Sequence, residues 1–342
     1  MGDKAAMTIA GLARAVGVAK STVSLAFSTP ERVRPETLSR ILEEAKRSGY
    51  QPNPLARSLR TGRHNLLGLM MNDMANPLNG AFFSAVQAEA LERGLLVLAA
   101  TSHDDPAREA AILDQFRAIR VRGAILVPHY AWTDVPGPMR LRAPLVTFDQ
   151  RAAGLSCDHV SLDHRGAARA LTRLLLDAGH RRIGHVAGRR GLWSAEERLE
   201  GVREALAERG LTLAPSLVGD GGYEEEASRT AALGLLRAPG RPTALVAANN
   251  AAAVGTMRAL REAGLRCPDD VSVVAVDGLP SADLAHPPVT AAVQPVEAMA
   301  RQAAAWLFEG LEAPAQAGPR APRERLFEAR VVHGRSVGPP AR

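Results

Sequence analysis

Residues 7–27 read MTIAGLARAVGVAKSTVSLAF. Thr8 can cap a helix whose apolar side chains Ile9, Leu12, Ala13 and Val16 recur at the i, i+3, i+4, i+7 spacing of one helical face. Gly17-Val18 breaks that helix with a residue suited to positive φ, and a second helix starts at once. Its run Lys20-Ser21-Thr22-Val23-Ser24-Leu25-Ala26-Phe27 turns Val23, Ala26 and Phe27 inward and leaves short polar side chains on the opposite face. A helix that enters the major groove of DNA needs that division. A third helix opens at Pro35-Glu36, carries Leu38, Ile41, Leu42 and Ala45 on one stripe and stops at Ser48-Gly49. The three helices predict one small core.

The charge lies in the same place. Residues 1–64 hold eleven Lys and Arg against five Asp and Glu, 11 − 5 = +6, while the rest of the 342-residue chain balances at 31 − 31 = 0. A basic surface confined to a folded amino-terminal module is the electrostatic footprint of a nucleic-acid binder. The next segment, Asn53-Pro54-Leu55-Ala56-Arg57-Ser58-Leu59-Arg60-Thr61-Gly62, has a good N-cap, a proline fit for the first helical position and a glycine stop. So short a helix is marginal in water, so it is expected to fold only when something holds it.

The strings Thr8-Ile9-Ala10, Ser21-Thr22-Val23-Ser24, Arg32-Val33-Arg34-Pro35-Glu36-Thr37, Gly49-Tyr50-Gln51-Pro52-Asn53 and Ala56 to Gly62 resemble the headpiece and hinge of the LacI/GalR family of bacterial transcription regulators. The likeness continues in order and spacing through Asn76-Pro77, Gly179-His180-Arg181-Arg182-Ile183, Ser194 to Gly201, Ala248-Asn249 and Pro268 to Asp277. It implies a small all-α helix-turn-helix headpiece (7–51) and a hinge helix and linker (52–62), followed by a two-lobed α/β, periplasmic-binding-protein-like domain (66–335). Lobe 1 would span about 66–162 and 293–325, and lobe 2 about 163–292 and 326–335, with three crossings near 163, 292 and 325.

At the DNA, the resemblance implies that Lys20 and Ser21 read base edges and that Thr22 and Ser24 contact phosphate or base. Thr8, Leu25, Ser28, Asn53 and Ala56 belong to the same set, and Leu59 wedges into the minor groove at the centre of a palindrome. Two positions depart from the family pattern. Ala19 stands where a serine commonly caps the recognition helix, and Leu25 stands where a polar base reader is usual; leucine can pack on a thymine methyl but cannot donate to guanine.

Past the hinge, short apolar runs alternate with amphipathic ones, the mark of parallel strands joined by crossover helices. Strands are expected at 66–71, 95–100, 123–127, 144–148, 183–187, 244–248 and 271–276, and helices at 82–93, 107–120, 165–178, 195–209 and 251–263. After the Pro- and Arg-rich stretch from Pro314, one last strand is expected over 326–332. No leucine heptad argues for a tetramerisation helix. Two such sheets imply two lobes facing across a cleft, because open α/β sheets bind ligands at the carboxyl ends of their strands.

Carried over by motif, Asn72, Asp149, Ser194, Arg198, Asn249, Asp277 and Gln294 should line that cleft, with a chemistry suited to polyhydroxylated or anionic ligands. Trp132 and Trp193 fall in expected loops at strand ends, where a flat ligand face could stack or the rings could serve the core. Asn250 and Gly278 replace two acidic residues of the family pattern, which makes a sugar acid a more plausible effector alongside a neutral sugar.

Cys157 and Cys267 are the only cysteines and read as buried free thiols; His129, His180, His185 and His286 are scattered, so neither a metal site nor a cofactor is expected. No apolar run approaches the roughly 18 residues of a membrane span, and the amino terminus has no signal-peptide pattern, so a cytoplasmic protein is expected. Nucleotide-binding glycine loops, a nucleophile elbow and a zinc-protease motif are absent, and nothing arranges a nucleophile with a base. The expected function is a ligand-responsive DNA-binding regulator, usually a repressor, acting on a palindromic operator as a homodimer or dimer of dimers. The alternative is a solute-binding receptor that uses the α/β lobes alone, which leaves the basic headpiece unexplained.

Overall fold

The computed structural model describes residues 7–50, 65–128, 141, 143–152, 154–278, 287–314 and 320–341. The hinge segment with Asn53, Ala56 and Leu59, together with Trp132, His129 and His286, lies outside the described residues. The chain divides into two units, residues 1–64 and 65–342.

In the first unit, α1 (Ile9–Val16) is capped by the Thr8 hydroxyl, which accepts from the Gly11 amide at 3.1 Å, and it ends at Gly17 with φ +74°. That left-handed residue lets α2 (Lys20–Ser28) leave in a new direction. α3 (Pro35–Ser48) closes the unit, and Arg40 donates to the Val16 carbonyl at 2.7 Å, tying α3 to the end of α1. Leu12, Ala13, Val16, Val23, Ala26, Ile41 and Ala45 are buried together, while Phe27 packs on Tyr50. Leu42, expected on the buried stripe, is 45% exposed: Ile41 and Ala45 define the inward line, and Leu42 is rotated off it by one helical step.

The second unit holds two six-stranded sheets. The first runs through β1 (Leu66–Met71), α4 (Pro77–Glu92), β2 (Leu96–Thr101), α5 (Pro106–Ile119), β3 (Ala124–Leu126), β4 (Leu145–Phe148) and β5 (Asp158–Leu162). The chain then crosses to α6 (His164–Asp177), β6 (Ile183–Ala187), α7 (Trp193–Ala207), β7 (Val218–Asp220), α8 (Glu225–Arg237), β8 (Ala244–Ala247), α9 (Asn250–Glu262), β9 (Ser272–Val276) and β10 (Thr290–Val293). It returns for α10 (Val296–Glu312) and β11 (Glu324–Phe327), then crosses again to β12 (Arg330–Val332). Strand orders are β11-β5-β4-β3-β1-β2 and β12-β10-β9-β8-β6-β7; every pairing is parallel except β10 with β12. Each sheet reverses its order between its first and third strands (β1/β3 and β6/β8), the switch point at which doubly wound sheets take ligands.

The single strand expected over 326–332 is two strands in different sheets, with the third crossing at 328–329 rather than near 325. β5, β7, α8, β10 and α10 were not among the expected elements. Gly201 on α7 is required by packing: a Cβ there would come within 2.2 Å of the Arg165 carbonyl oxygen on α6. Both cysteines are free and partly buried. Among the described residues no single helix is long and apolar enough to cross a membrane.

His159 and His185 are buried, and burial pushes both imidazoles down to about 4 from 6.5. An unfolded chain protonates them near 6.5, so their stability contribution is complete above that pH and declines as pH falls toward 4. Urea unfolding at pH 7 and pH 5 should show a loss of roughly 2 kcal/mol per histidine. An unchanged midpoint would show that neither ring is held neutral by burial.

Candidate functional site

Lobe 1, built on the first sheet, and lobe 2, built on the second, face each other across a cleft of about 560 Å³. The residues that follow the strands line it. Asn72 and Asp73 follow β1, His103 and Asp104 follow β2, Asp149 and Gln150 follow β4, and Arg189 lies beyond β6. Tyr223 lies beyond β7, Asn249 beyond β8, Asp277 follows β9 and Gln294 follows β10. Six described non-glycine residues have positive φ, and five of them, His103, Asp104, Asp149, Tyr223 and Asp277, line this cleft. Backbone held in a sparsely populated region gathers where geometry serves binding, so the strain itself marks the site.

Arg198, on α7, is buried at the cleft floor. Its guanidinium donates to the Ala248 carbonyl, its Nη2 and Nε lie 3.1 and 3.2 Å from His164 Nδ1, and it stands 3.6 Å from Asp277. Because Nδ1 accepts, His164 carries its proton on Nε2, which lies 3.2 Å from Asp149 Oδ1. Burial alone would raise the Asp149 pKa, but His164 and Arg198 outweigh it and hold the carboxyl below its ordinary value. At Asp277 burial wins over Arg198 and Gln294, and the pKa is raised although Gln294 donates to Oδ1 at 2.6 Å. Burial also raises the Tyr223 phenol, whose ring lies 5.5 Å from the Arg198 guanidinium carbon.

The asparagines face the ligand space with defined polarity. Asn72 Oδ1 accepts from Asn79 at 2.8 Å and Asn249 Oδ1 accepts from the Ala252 amide at 2.8 Å, capping α9, so each has its amide nitrogen left to offer a ligand. At the mouth, Arg189 of lobe 2 reaches Asp104 of lobe 1 at 3.6 Å and Glu224 at 3.2 Å.

Of the residues named from sequence, Asn72, Asp149, Ser194, Arg198, Asn249, Asp277 and Gln294 come together here. Trp193 does not: it begins α7 rather than lying in a loop, and its ring packs edge-on against His159 and His164 at 5.3 and 5.4 Å, away from the cleft lining. Asn79, His103, Gln150, Arg189 and Tyr223 are lining residues that sequence reasoning missed. The cleft is also more acidic than the two replaced acids suggested. Asp73, Asp104, Asp149, Glu224, Glu225 and Asp277 line it, against Arg189 and Arg198.

On the first unit, Thr8, Lys20 and Ser21 are exposed, and Thr22 and Ser24 are half-buried. Leu25 is half-buried against the headpiece core, so part of its side chain is spent on packing. Ala19 provides no side-chain cap for α2.

A three-helix unit whose second helix presents Lys20 and Ser21 to solvent, followed in sequence by a two-lobed α/β domain, defines a DNA-binding transcription regulator. The sequence model for bacterial regulatory proteins of the lacI family matches residues 8–53, and that for the periplasmic binding protein-like domain matches residues 172–337. The transcriptional regulator GalS of Salmonella typhimurium is 29% identical over 314 residues, covering 89% of this chain and 90% of its own. A Burkholderia thailandensis protein described as a candidate ribose operon repressor is 30% identical, covers 79% of this chain and 99% of its own, and superposes with a TM-score of 0.72. The regulator CelR in complex with cellobiose is 28% identical over 96% of this chain and 99% of its own, with a TM-score of 0.72. The chain belongs to the LacI/GalR family of bacterial transcription regulators, whose members are regulators and not enzymes.

Proposed function

We propose that this regulator is a cytoplasmic repressor that binds a palindromic operator as a homodimer, and that a small neutral ligand of the sugar class, held between the lobes, sets its operator affinity. The observation that carries the ligand site is the convergence of strained, polar strand-end residues from both lobes on one cleft. A ligand bridging Asn72 and Asp149 of lobe 1 to Arg198, Asn249 and Asp277 of lobe 2 favours one lobe arrangement. It shifts DNA affinity only by the difference in its own affinity for the two arrangements.

Charge chooses between the two ligand classes expected from sequence. Six acidic side chains line the cleft against Arg189 and Arg198, so an added carboxylate would enter a space with an excess of acidic groups. Hydroxyl groups, which donate to carboxylates and accept from asparagine amides, suit it better. At the DNA, Lys20, Ser21, Thr22 and Ser24 are the proposed readers, with Leu59 as the minor-groove wedge. The edge strand β2 and the adjacent helix end, with Leu96 and Leu91 59% and 55% exposed, offer apolar area for the dimer contact.

A thermal-unfolding screen of neutral mono- and disaccharides, polyols, sugar acids and nucleosides tests the ligand class. A ligand at about 100 times its Kd should stabilise the protein by about 2.7 kcal/mol. Stabilisation by sugar acids alone would overturn the neutral-ligand reading, and a bound sugar that left operator affinity unchanged would overturn the regulatory one.

A further inference from the structure

Helix α7 carries Arg198, yet its own sequence does not cap it: Leu192 precedes the helix and offers no side-chain acceptor. The first amides of a helix need acceptors from elsewhere. Gln150, in the loop that follows β4 of lobe 1, supplies one. Its Oε1 accepts from the Ser194 amide at 3.2 Å, and its Nε2 donates to the Ser194 hydroxyl, which also meets the Tyr223 hydroxyl at 3.0 Å. Gln150 and Ser194 are both buried. The next residue of lobe 1, Arg151, lays its guanidinium 4.6 Å from the centre of the Trp193 ring, and His159 of β5 meets the same ring edge-on. The preceding residue, Asp149, contacts His164 beside the first crossing.

We propose that Asp149-Gln150-Arg151 and the first turn of α7 form a polar pivot between the lobes, in which Gln150 is the positioning residue for Arg198 and Trp193 is a bearing surface. Gln150 and Arg151 of lobe 1 grip the first turn of α7 of lobe 2, while Asp149 contacts His164 at the start of α6. Ser194 and Arg198 are four residues apart and share a helix face, so the grip on Ser194 fixes where Arg198 stands in the cleft. A cap supplied across a lobe boundary holds only while the lobes keep their relation, so rotation about this point changes the order of the turn that leads to Arg198. The cleft reading enters only in why the placement of Arg198 matters. Measurements on the ligand-free chain therefore keep the two apart, and failure here would leave that reading standing.

The test combines amide exchange at Ser194 with acrylamide quenching of Trp193 in full-length protein carrying Trp132→Phe and Trp306→Phe. Gln150→Met should speed exchange at Ser194 by about fivefold, the factor an ordinary N-cap is worth, and increase Trp193 quenching, with exchange in α9 unchanged. Gln150→Glu should restore both readouts, because a carboxylate accepts the same amide and suits a helix amino terminus. Arg151→Ala, which spares the cap, should increase Trp193 quenching alone. Unchanged exchange and quenching in Gln150→Met would overturn the pivot. So would faster exchange at Ser194 with Trp193 unmoved, which reduces Gln150 to an ordinary cap, or an equal rise across α9, which is general destabilisation. Should Gln150→Met fail to fold, a Gln150→Glu chain that lost protection at Ser194, or an Arg151→Ala chain with unchanged quenching, would overturn it as well.

Discussion

Arg198→Ala is expected to weaken effector binding by at least about 100-fold, the loss of two charge-assisted hydrogen bonds, while operator binding without ligand stays nearly intact. The headpiece is a separate unit with its own core, so the substitution does not reach the DNA-reading face. Stability should suffer as well. Arg198 is 3% exposed and stands between Asp277, His164 and the Ala248 carbonyl, and breaking a buried pair by removing one partner costs about 3–5 kcal/mol. Asp277, whose pKa burial already raises, would then take up a proton more readily, so the variant should recover part of the loss as pH falls. Arg198→Met with Asp277→Asn separates the two effects: unfolding stability should return while ligand affinity does not. Calorimetry with the sugar found by screening decides the matter, since wild-type affinity in Arg198→Ala would remove Arg198 from the site.

The headpiece helices were legible because their apolar residues are few and spaced on clean stripes against polar neighbours. α10 was not, since the run Ala300-Arg301-Gln302-Ala303-Ala304-Ala305 is mostly alanine, which blurs the contrast that reveals a 3.6-residue period. α8 opens on Glu224-Glu225-Glu226 and reads as a loop until Leu233, Leu235 and Leu236 are seen buried. The last strand was merged from two because extended chain continues on both sides of 328–329, and nothing local to residues 326–332 shows that their partners lie in different sheets.

The cleft residues named from sequence follow from the family resemblance, and apart from Arg198, in the second turn of α7, they lie at a strand end or in the first turn of the helix that follows, where the rule for open α/β sheets places ligands. What stayed hidden depends on contact between the lobes. Nothing near Gln150 indicates that it will cap a helix that starts more than forty residues later, and Tyr223 follows two glycines as an ordinary turn residue would. For Trp193 the sequence leaves ligand stacking and core packing both open, since a tryptophan at an expected strand-end loop fits either. Its neighbours Arg151, His159 and His164 decide for packing, and they are distant in sequence. The left-handed backbone of Asp149 and Asp277 had a faint local signal, as aspartate tolerates that region better than most residues.

Removing residues 1–64 is expected to abolish specific operator binding, a loss of about a thousandfold or more, with effector affinity retained. Residues 65–342 form their own unit, contain both sheets and every cleft-lining residue, and carry balanced charge, so they keep the ligand chemistry without a phosphate-binding surface. The whole excess of +6 sits in the removed segment. Intact protein should therefore show steep salt dependence on a palindrome of roughly 14 to 20 base pairs, the length two headpieces need to enter major grooves about one turn apart. The logarithm of affinity should fall with the logarithm of salt by about 0.9 per phosphate neutralised, and Lys20, Arg57 and Arg60 are candidates for those contacts. Fluorescence anisotropy with labelled operator at two salt concentrations, on intact protein and on the 65–342 fragment, measures both quantities. Operator binding by the fragment at full affinity would place DNA recognition in the α/β lobes and refute the assignment of the headpiece.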